Sequence, residues 1–230
     1  MNSELKLKSF KEYHFIPAKN KSPLLLICLH GQGASLLQLR SLRSRFRLDQ
    51  WNYLFLNAPD SIESESHFGG FSWYHRPPFH WPGINRSLGL LRDLMQELTG
   101  EGFSKDKTVW LGFSQGAALA LEMILSSPEP YLGLVALSGW IHDPETLGSR
   151  SHHETIEVPV LMTHGPRDDV LPLKEVKKRL PALVPFLPNL EFQEFDKAHE
   201  IIKEEHKTIR QWLKKRGNYS PSLLQKTGLS

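Results

Sequence analysis

Gly112-Phe113-Ser114-Gln115-Gly116 follows the apolar run Thr108 to Leu111 and precedes Ala117-Ala118-Leu119-Ala120-Leu121-Glu122-Met123-Ile124-Leu125. The run before it reads as a buried strand and the run after it as a helix. Strand, G-x-S-x-G and helix in succession are the setting of a nucleophile elbow, in which a sharp turn lifts the serine hydroxyl above a sheet. Such a turn leaves no room for side chains two residues to either side of the serine, and both positions are glycine. A helix that opens at Ser114 also points its free N–H groups and its positive dipole end at any anion formed there. The plainer alternative for these residues is a glycine-rich turn that serves close packing.

The 230 residues suit one domain, with 40% hydrophobic and 23% charged residues and a formal charge of +3. The positive excess is spread out, and its densest clusters, Lys174 to Arg179 and Lys214 to Arg216, read as a solvated helix face and a tail. No nucleic-acid motif accompanies them, so no nucleic-acid partner is expected. Cys28 is the only cysteine, which excludes an internal disulfide and argues against a thiolate metal site. The N-terminus lacks the apolar core of a signal peptide, and the longest apolar run, Leu24 to Leu29, is too short to span a bilayer. The default expectation is a cytoplasmic protein without a transmembrane segment, for which a homodimer stays open.

Along the chain, short apolar runs alternate with amphipathic ones. Tyr13 to Ile16 reads as an edge strand closed by Pro17, and Leu24 to Leu29 as a strand buried on both faces. A helix is expected over Ala34 to Leu48, a strand over Trp51 to Leu56, and a helix over Ile84 to Leu98 with Leu88, Leu91, Leu94, Met95 and Leu98 on one face. Further strands are expected at Leu132 to Leu137, Val158 to Thr163 and Leu190 to Phe195, and helices at Leu173 to Leu183 and Ile201 to Lys215. Residues 60–82 form an excursion with few periodic signals, His142 to Glu157 reads as a polar loop, and residues 217–230 as a mobile tail. Strands alternating with helices predict an α/β fold with a mostly parallel central sheet covered by helices on both faces. Ligands in such sheets bind beyond the carboxyl ends of the strands.

A serine needs a base, and the base an orienting carboxylate. In α/β-hydrolases the chain order is Ser, Asp or Glu, His. After Ser114 this sequence offers Asp168, in His164-Gly165-Pro166-Arg167-Asp168-Asp169, and then His199, in Asp196-Lys197-Ala198-His199-Glu200. Each follows an expected strand, so the three can meet at one sheet edge. His164 reads as a turn residue and His206 lies inside the last expected helix, which leaves His199 as the base. His199-Glu200 begins like a zinc-protease helix, but position 203 is lysine where a second histidine ligand would stand. No zinc site is therefore expected there. The oxyanion of a tetrahedral intermediate needs N–H donors. The backbones of Gln115 and of Gln32, in the loop Gly31-Gln32-Gly33, are the candidates.

Leu29-His30-Gly31-Gln32-Gly33, Asn57-Ala58-Pro59, Gly112-Phe113-Ser114-Gln115-Gly116, Leu137-Ser138-Gly139 and His164-Gly165-x-x-Asp168-x-x-x-Pro172 occur in that order. Together they resemble the phospholipase/carboxylesterase family of α/β-hydrolases, which includes acyl-protein thioesterases and small carboxylesterases. The resemblance covers residues 15–213. It implies the α/β-hydrolase fold, a Ser114–Asp168–His199 triad, oxyanion donors at Gln32 and Gln115, and cofactor-free hydrolysis of small-molecule or acyl-chain esters or thioesters. The sequence departs from the family in Ser72-Trp73-Tyr74-His75-Arg76-Pro77-Pro78, where His75 replaces an acidic residue. Phe68, Phe71, Trp73, Tyr74, Phe79 and Trp81 make the excursion aromatic-rich, as one wall of an acyl pocket or as a satellite core pinning a long loop. Trp73, Tyr74, Trp81 and Trp140 are the candidate substrate-binding residues. Arg76 is either a receptor for an anionic group or a solvent-facing side chain. A catalytically inactive binding protein and a peptidase on the same fold are the rival readings.

Overall fold

The computed structural model describes residues 5–62, 70–152 and 156–218. Seven strands form one sheet in the order β1-β3-β2-β6-β7-β8-β9. They are β1 (Tyr13–Ile16), β2 (Leu25–Leu29), β3 (Asn52–Leu56), β6 (Thr108–Phe113), β7 (Gly133–Leu137), β8 (Val160–His164) and β9 (Leu190–Glu194). Only β1 runs antiparallel, at the edge beside β3. The short antiparallel pair β4 (Asp60–Ile62) and β5 (Gly70–Ser72) lies apart.

Side-chain alternation along the strands divides the core into two layers. From β2, Leu25, Ile27 and Leu29 join one cluster while Leu26 and Cys28 join the other. The first layer is covered by α3 (His80–Gly100), α4 (Gln115–Leu125), α5 (Leu147–Arg150) and α6 (Leu173–Leu183). The second is covered by α1 (Leu37–Arg40), α2 (Leu42–Phe46) and α7 (Lys203–Gly217). Burial on both faces explains the continuous apolar strands. The expected face of α3 is fully buried at Leu88, Leu91, Leu94, Met95 and Leu98. No helix among the described residues is long and apolar enough to cross a membrane.

Several elements differ from expectation, each for a visible reason. The helix expected over residues 34–48 starts only at Leu37, because the backbone before it is engaged elsewhere: Ala34 pairs with Phe71, and the Leu36 N–H donates to Asn57 Oδ1 at 2.7 Å. The excursion is not wholly irregular, since it holds β4, β5 and the first turn of α3. Pro82 is tolerated there because a first-turn N–H has no helical acceptor to lose. The segment expected to be a polar loop carries α5, whose Leu147 is buried and whose Arg150 pairs with buried Glu122. Phe68 and the expected tail from residue 219 onward lie outside the described residues.

The seal between α7 and the sheet depends on Gly133. A Cβ there would lie 2.5 Å from Trp212 Cη2 and 3.1 Å from Pro159 O. Gly133→Ala should therefore destabilise the protein by about 1–3 kcal/mol, the usual cost of overpacking. Gly133→Ala/Trp212→Phe should recover part of the loss, and urea unfolding of the three proteins checks this.

Candidate active site

The carboxyl ends of β2, β6, β7, β8 and β9 form one edge, and the candidate residues leave from it in adjacent order. β2 runs into His30 and the loop 31–33, and β6 into Ser114. The loop after β7 packs under Ser114, where a Cβ on Gly139 would lie 2.4 Å from Ala117 Cβ and 3.2 Å from Ser114 O. β8 leads to Asp168 and β9 to His199. The direction of winding reverses between β2 and β6, so Ser114 stands at the switch point of the sheet.

Ser114 has φ 53° and ψ −116°, a conformation costly for any residue with a Cβ. It is held by close backbone packing. A Cβ on Gly112 would lie 2.3 Å from Gly116 O, and one on Gly116 would lie 2.3 Å from Leu29 O. The Ser114 N–H donates to Leu137 O at 2.8 Å, tying the elbow to β7.

Ser114 Oγ is 2.8 Å from His199 Nε2, and His199 Nδ1 is 2.7 Å from Asp168 Oδ2. A carboxylate only accepts, so the imidazole proton sits on Nδ1 and Nε2 is free to accept from the serine hydroxyl. Asp168 is buried, and its Oδ1 accepts from the N–H groups of Val170 and Leu171 at 3.1 and 2.8 Å. Asp169 is exposed and makes no such contact. The side of the imidazole is covered by the Phe113 ring, with centroids 5.0 Å apart.

The loop 31–33, the candidate oxyanion loop, passes directly over the serine, since a Cβ on Gly31 would lie 3.3 Å from Ser114 Cβ. Among the described residues the backbone N–H groups of Gln32 and Gln115 donate to nothing. His30 shapes this loop from below. It accepts the Ala58 N–H at Nε2 (3.1 Å) and donates from Nδ1 to Gly31 O (2.7 Å), which requires the neutral ring. Burial lowers its pKa to about 4, in keeping with that role. From above, β5 clamps the loop: the Gly33 N–H donates to Phe71 O and the Phe71 N–H to Ala34 O.

The aromatic candidates occupy different places. Trp73 is fully buried against Phe10 and His30, with its indole N–H on His30 O at 2.9 Å. Tyr74 is buried, and its hydroxyl meets His142 Nε2 at 3.1 Å. The Gln115 side chain spans both, accepting the Trp73 N–H at 2.9 Å and donating to Tyr74 O at 2.7 Å. The Trp73 and Tyr74 side chains both belong to the main hydrophobic core on that face of the sheet. Trp81 and Trp140 are half-buried. Trp81 donates to Asp143 Oδ2 at 2.5 Å, and the Arg179 guanidinium lies 4.2 Å over the Trp140 ring. Burial, then the charge of His80, lowers the pKa of neighbouring His142 to about 4. No group of three or more His, Cys, Asp or Glu among the described residues could hold a metal.

Two supporting features escape sequence reasoning. His164, read as a turn residue, lies fully buried with Nε2 3.2 Å from Asp168 Oδ2 and 2.7 Å from Leu171 O. Lys197, two residues before His199, is also fully buried. Its Nζ donates to Glu205 Oε1 at 2.6 Å and to Glu200 O at 3.1 Å. Burial lowers the lysine pKa, and the Glu205 charge opposes that shift. Glu205 further accepts from Thr163 Oγ1 and from the Ile202 N–H, so one carboxylate joins β8, α7 and the His199 loop. A lysine beside a loop histidine carries no signal of burial. The one available clue is Glu205 on the otherwise apolar face of α7.

A sequence profile described as Phospholipase/Carboxylesterase matches residues 12–216. A probable carboxylesterase of Oryza sativa subsp. japonica is 30% identical over 216 residues, covering 86% of this chain and 78% of that protein. Acyl-protein thioesterase 1 of Kluyveromyces lactis is 28% identical over 216 residues, covering 86% of this chain and 92% of that protein. The crystal structure of esterase PE8 superposes with a TM-score of 0.77 at 26% identity, covering 88% of this chain and 97% of that one.

Removing one partner of a buried ion pair leaves the other charge unpaired, at a cost of about 3–5 kcal/mol. Lys197→Met should lose stability of that order in urea unfolding. Lys197→Met/Glu205→Gln, whose amide oxygen can still accept the Ile202 N–H while its NH2 donates to Thr163 Oγ1, should regain most of it.

Proposed function

The chain belongs to the phospholipase/carboxylesterase family of α/β-hydrolases, and from that membership we propose that Ser114, His199 and Asp168 hydrolyse carboxylic esters or thioesters through an acyl-enzyme. The observation that carries this reading is the unbroken hydrogen-bonded chain from Ser114 Oγ through His199 to Asp168, at 2.8 and 2.7 Å. Separations of that size permit direct proton transfer.

In the first half-reaction Ser114 Oγ attacks the acyl carbon, and its proton passes to His199 Nε2. The charge that appears on the carbonyl oxygen is received by the N–H groups of Gln32 and Gln115, with the N-terminal dipole of α4 behind them. Asp168 Oδ2 holds the Nδ1 proton and stabilises the imidazolium. As the C–O or C–S bond breaks, His199 returns its proton to the leaving alcohol or thiol. In the second half-reaction His199 takes a proton from water as its oxygen attacks the acyl carbon, and on collapse His199 returns that proton to Ser114 Oγ as the acid leaves.

Asp168 is the orienting acid in this scheme because its two oxygens divide the work. Oδ1 is fixed by two backbone N–H groups, and Oδ2 is left for imidazole. An inactive binding protein has no use for such a chain, and labelling by a fluorophosphonate separates the two, since only an activated serine reacts. Ser114→Ala should abolish the label. Loss of the orienting carboxylate costs roughly 10⁴-fold in a serine protease. Asp168→Asn should accordingly lose at least about 10²-fold in kcat at pH 8, while Asp169→Asn keeps most activity.

A further inference from the structure

One arginine joins the oxyanion loop to the segment beyond β5. Arg76 is exposed, and its Nε donates to Gln32 Oε1 at 3.0 Å. Among the described residues its Nη1 and Nη2 meet no acceptor. Other arginines around the site are engaged with acids. Arg150 is on Glu122, Arg86 on Asp60, Arg167 on Asp196, and Arg179 on Glu175. Arg76 alone of these is held by a neutral amide, which fixes the guanidinium while no acid among the described residues pairs with it. Its outer edge matches a carboxylate or phosphate, which it can bind through two parallel hydrogen bonds.

The position of that edge is set from two sides. Below, the Gln115 side chain clamps Trp73 and Tyr74 at 2.9 and 2.7 Å, so the chain reaches residue 76 from a rigid base next to the nucleophile. Above, Gln32 adjoins Gly31, whose absent side chain would sit 3.3 Å from Ser114 Cβ. The same two segments present exposed apolar side chains, Leu37 at 63% and Phe79 at 75%. The exposed acids, Asp169 and Glu200, follow Asp168 and His199 instead.

We propose that Arg76 is a specificity-determining residue that binds an anionic group of the substrate, so that the preferred esters carry a carboxylate or phosphate near the scissile carbonyl. This inference rests on the hydrolase reading above. It replaces a neutral acyl-chain substrate with an anionic one, and it gives the basic departure at His75-Arg76 a function.

Two matched pairs of esters test it. 4-Nitrophenyl glutarate differs from 4-nitrophenyl valerate by a carboxylate in place of the terminal methyl. 1-Butyrylglycerol 3-phosphate differs from 1-butyrylglycerol by a phosphate on the leaving group. At least one anionic ester should exceed its neutral partner about tenfold in kcat/KM at low salt, as one exposed charge-assisted pair allows. The pair that shows the effect identifies the group bound. Arg76→Gln should remove that advantage, lowering the anionic-to-neutral ratio about tenfold, and Arg76→Lys should restore part of it. If neither anionic ester is preferred, or if Arg76→Gln slows both members of a pair equally, the inference is overturned and Arg76 serves only to tie the oxyanion loop. If wild-type protein turns over none of the four esters, the hydrolase reading fails with it.

Discussion

The site depends on a single steric constraint: α4 must begin almost in contact with the ends of β2 and β6. Gly116 has no room for a Cβ because Leu29 O would lie 2.3 Å from it, and Gly112 has none because Gly116 O would. That close approach forces Ser114 into a conformation that is costly by itself, and the packing of the sheet sustains it. The strain has a use. It aims the hydroxyl outward at the helix N-terminus, where the Gln115 N–H is free of any helical partner. Ser114 and the candidate oxyanion donor at Gln115 are thus products of the same turn.

Around that turn the chain spends its buried polar groups on orientation. His30 is kept neutral so that it can both accept from Ala58 and donate to Gly31. The Gln115 side chain, next to the nucleophile, is consumed in clamping residues 72–74. β5 then holds the oxyanion loop from the opposite side. The aromatic excursion therefore supports that loop, and a guanidinium lies over each of the half-buried Trp81 and Trp140 rings.

The parts of this arrangement that sequence reasoning reaches are those in which one residue type has one physical reason to be present. The glycines at 112 and 116, the buried strands, and the order Ser114, Asp168, His199 are of this kind. What stays hidden depends on tertiary partners. The delayed start of α1 follows from contacts with Phe71 and Asn57, distant in sequence. The extension of α3 back to His80 runs through a proline that pattern reading treats as a stop. Lys197 looks like any solvated loop lysine, and only the convergence of β8, β9 and α7 makes it a buried cation.

The Lys197–Glu205 pair has a consequence for the order in which the molecule becomes complete during synthesis. The nucleophile, the oxyanion loop and the orienting acid all belong to the chain up to residue 168. The base does not, and its loop is tied both to the segment 164–168 and to a carboxylate on α7, which docks in turn by burying Ile209, Trp212 and Leu213. A chain without that helix would hold the elbow and the Asp168 loop but not the carboxylate that pairs with Lys197, so the His199 loop would carry a buried cation without its partner until α7 docks.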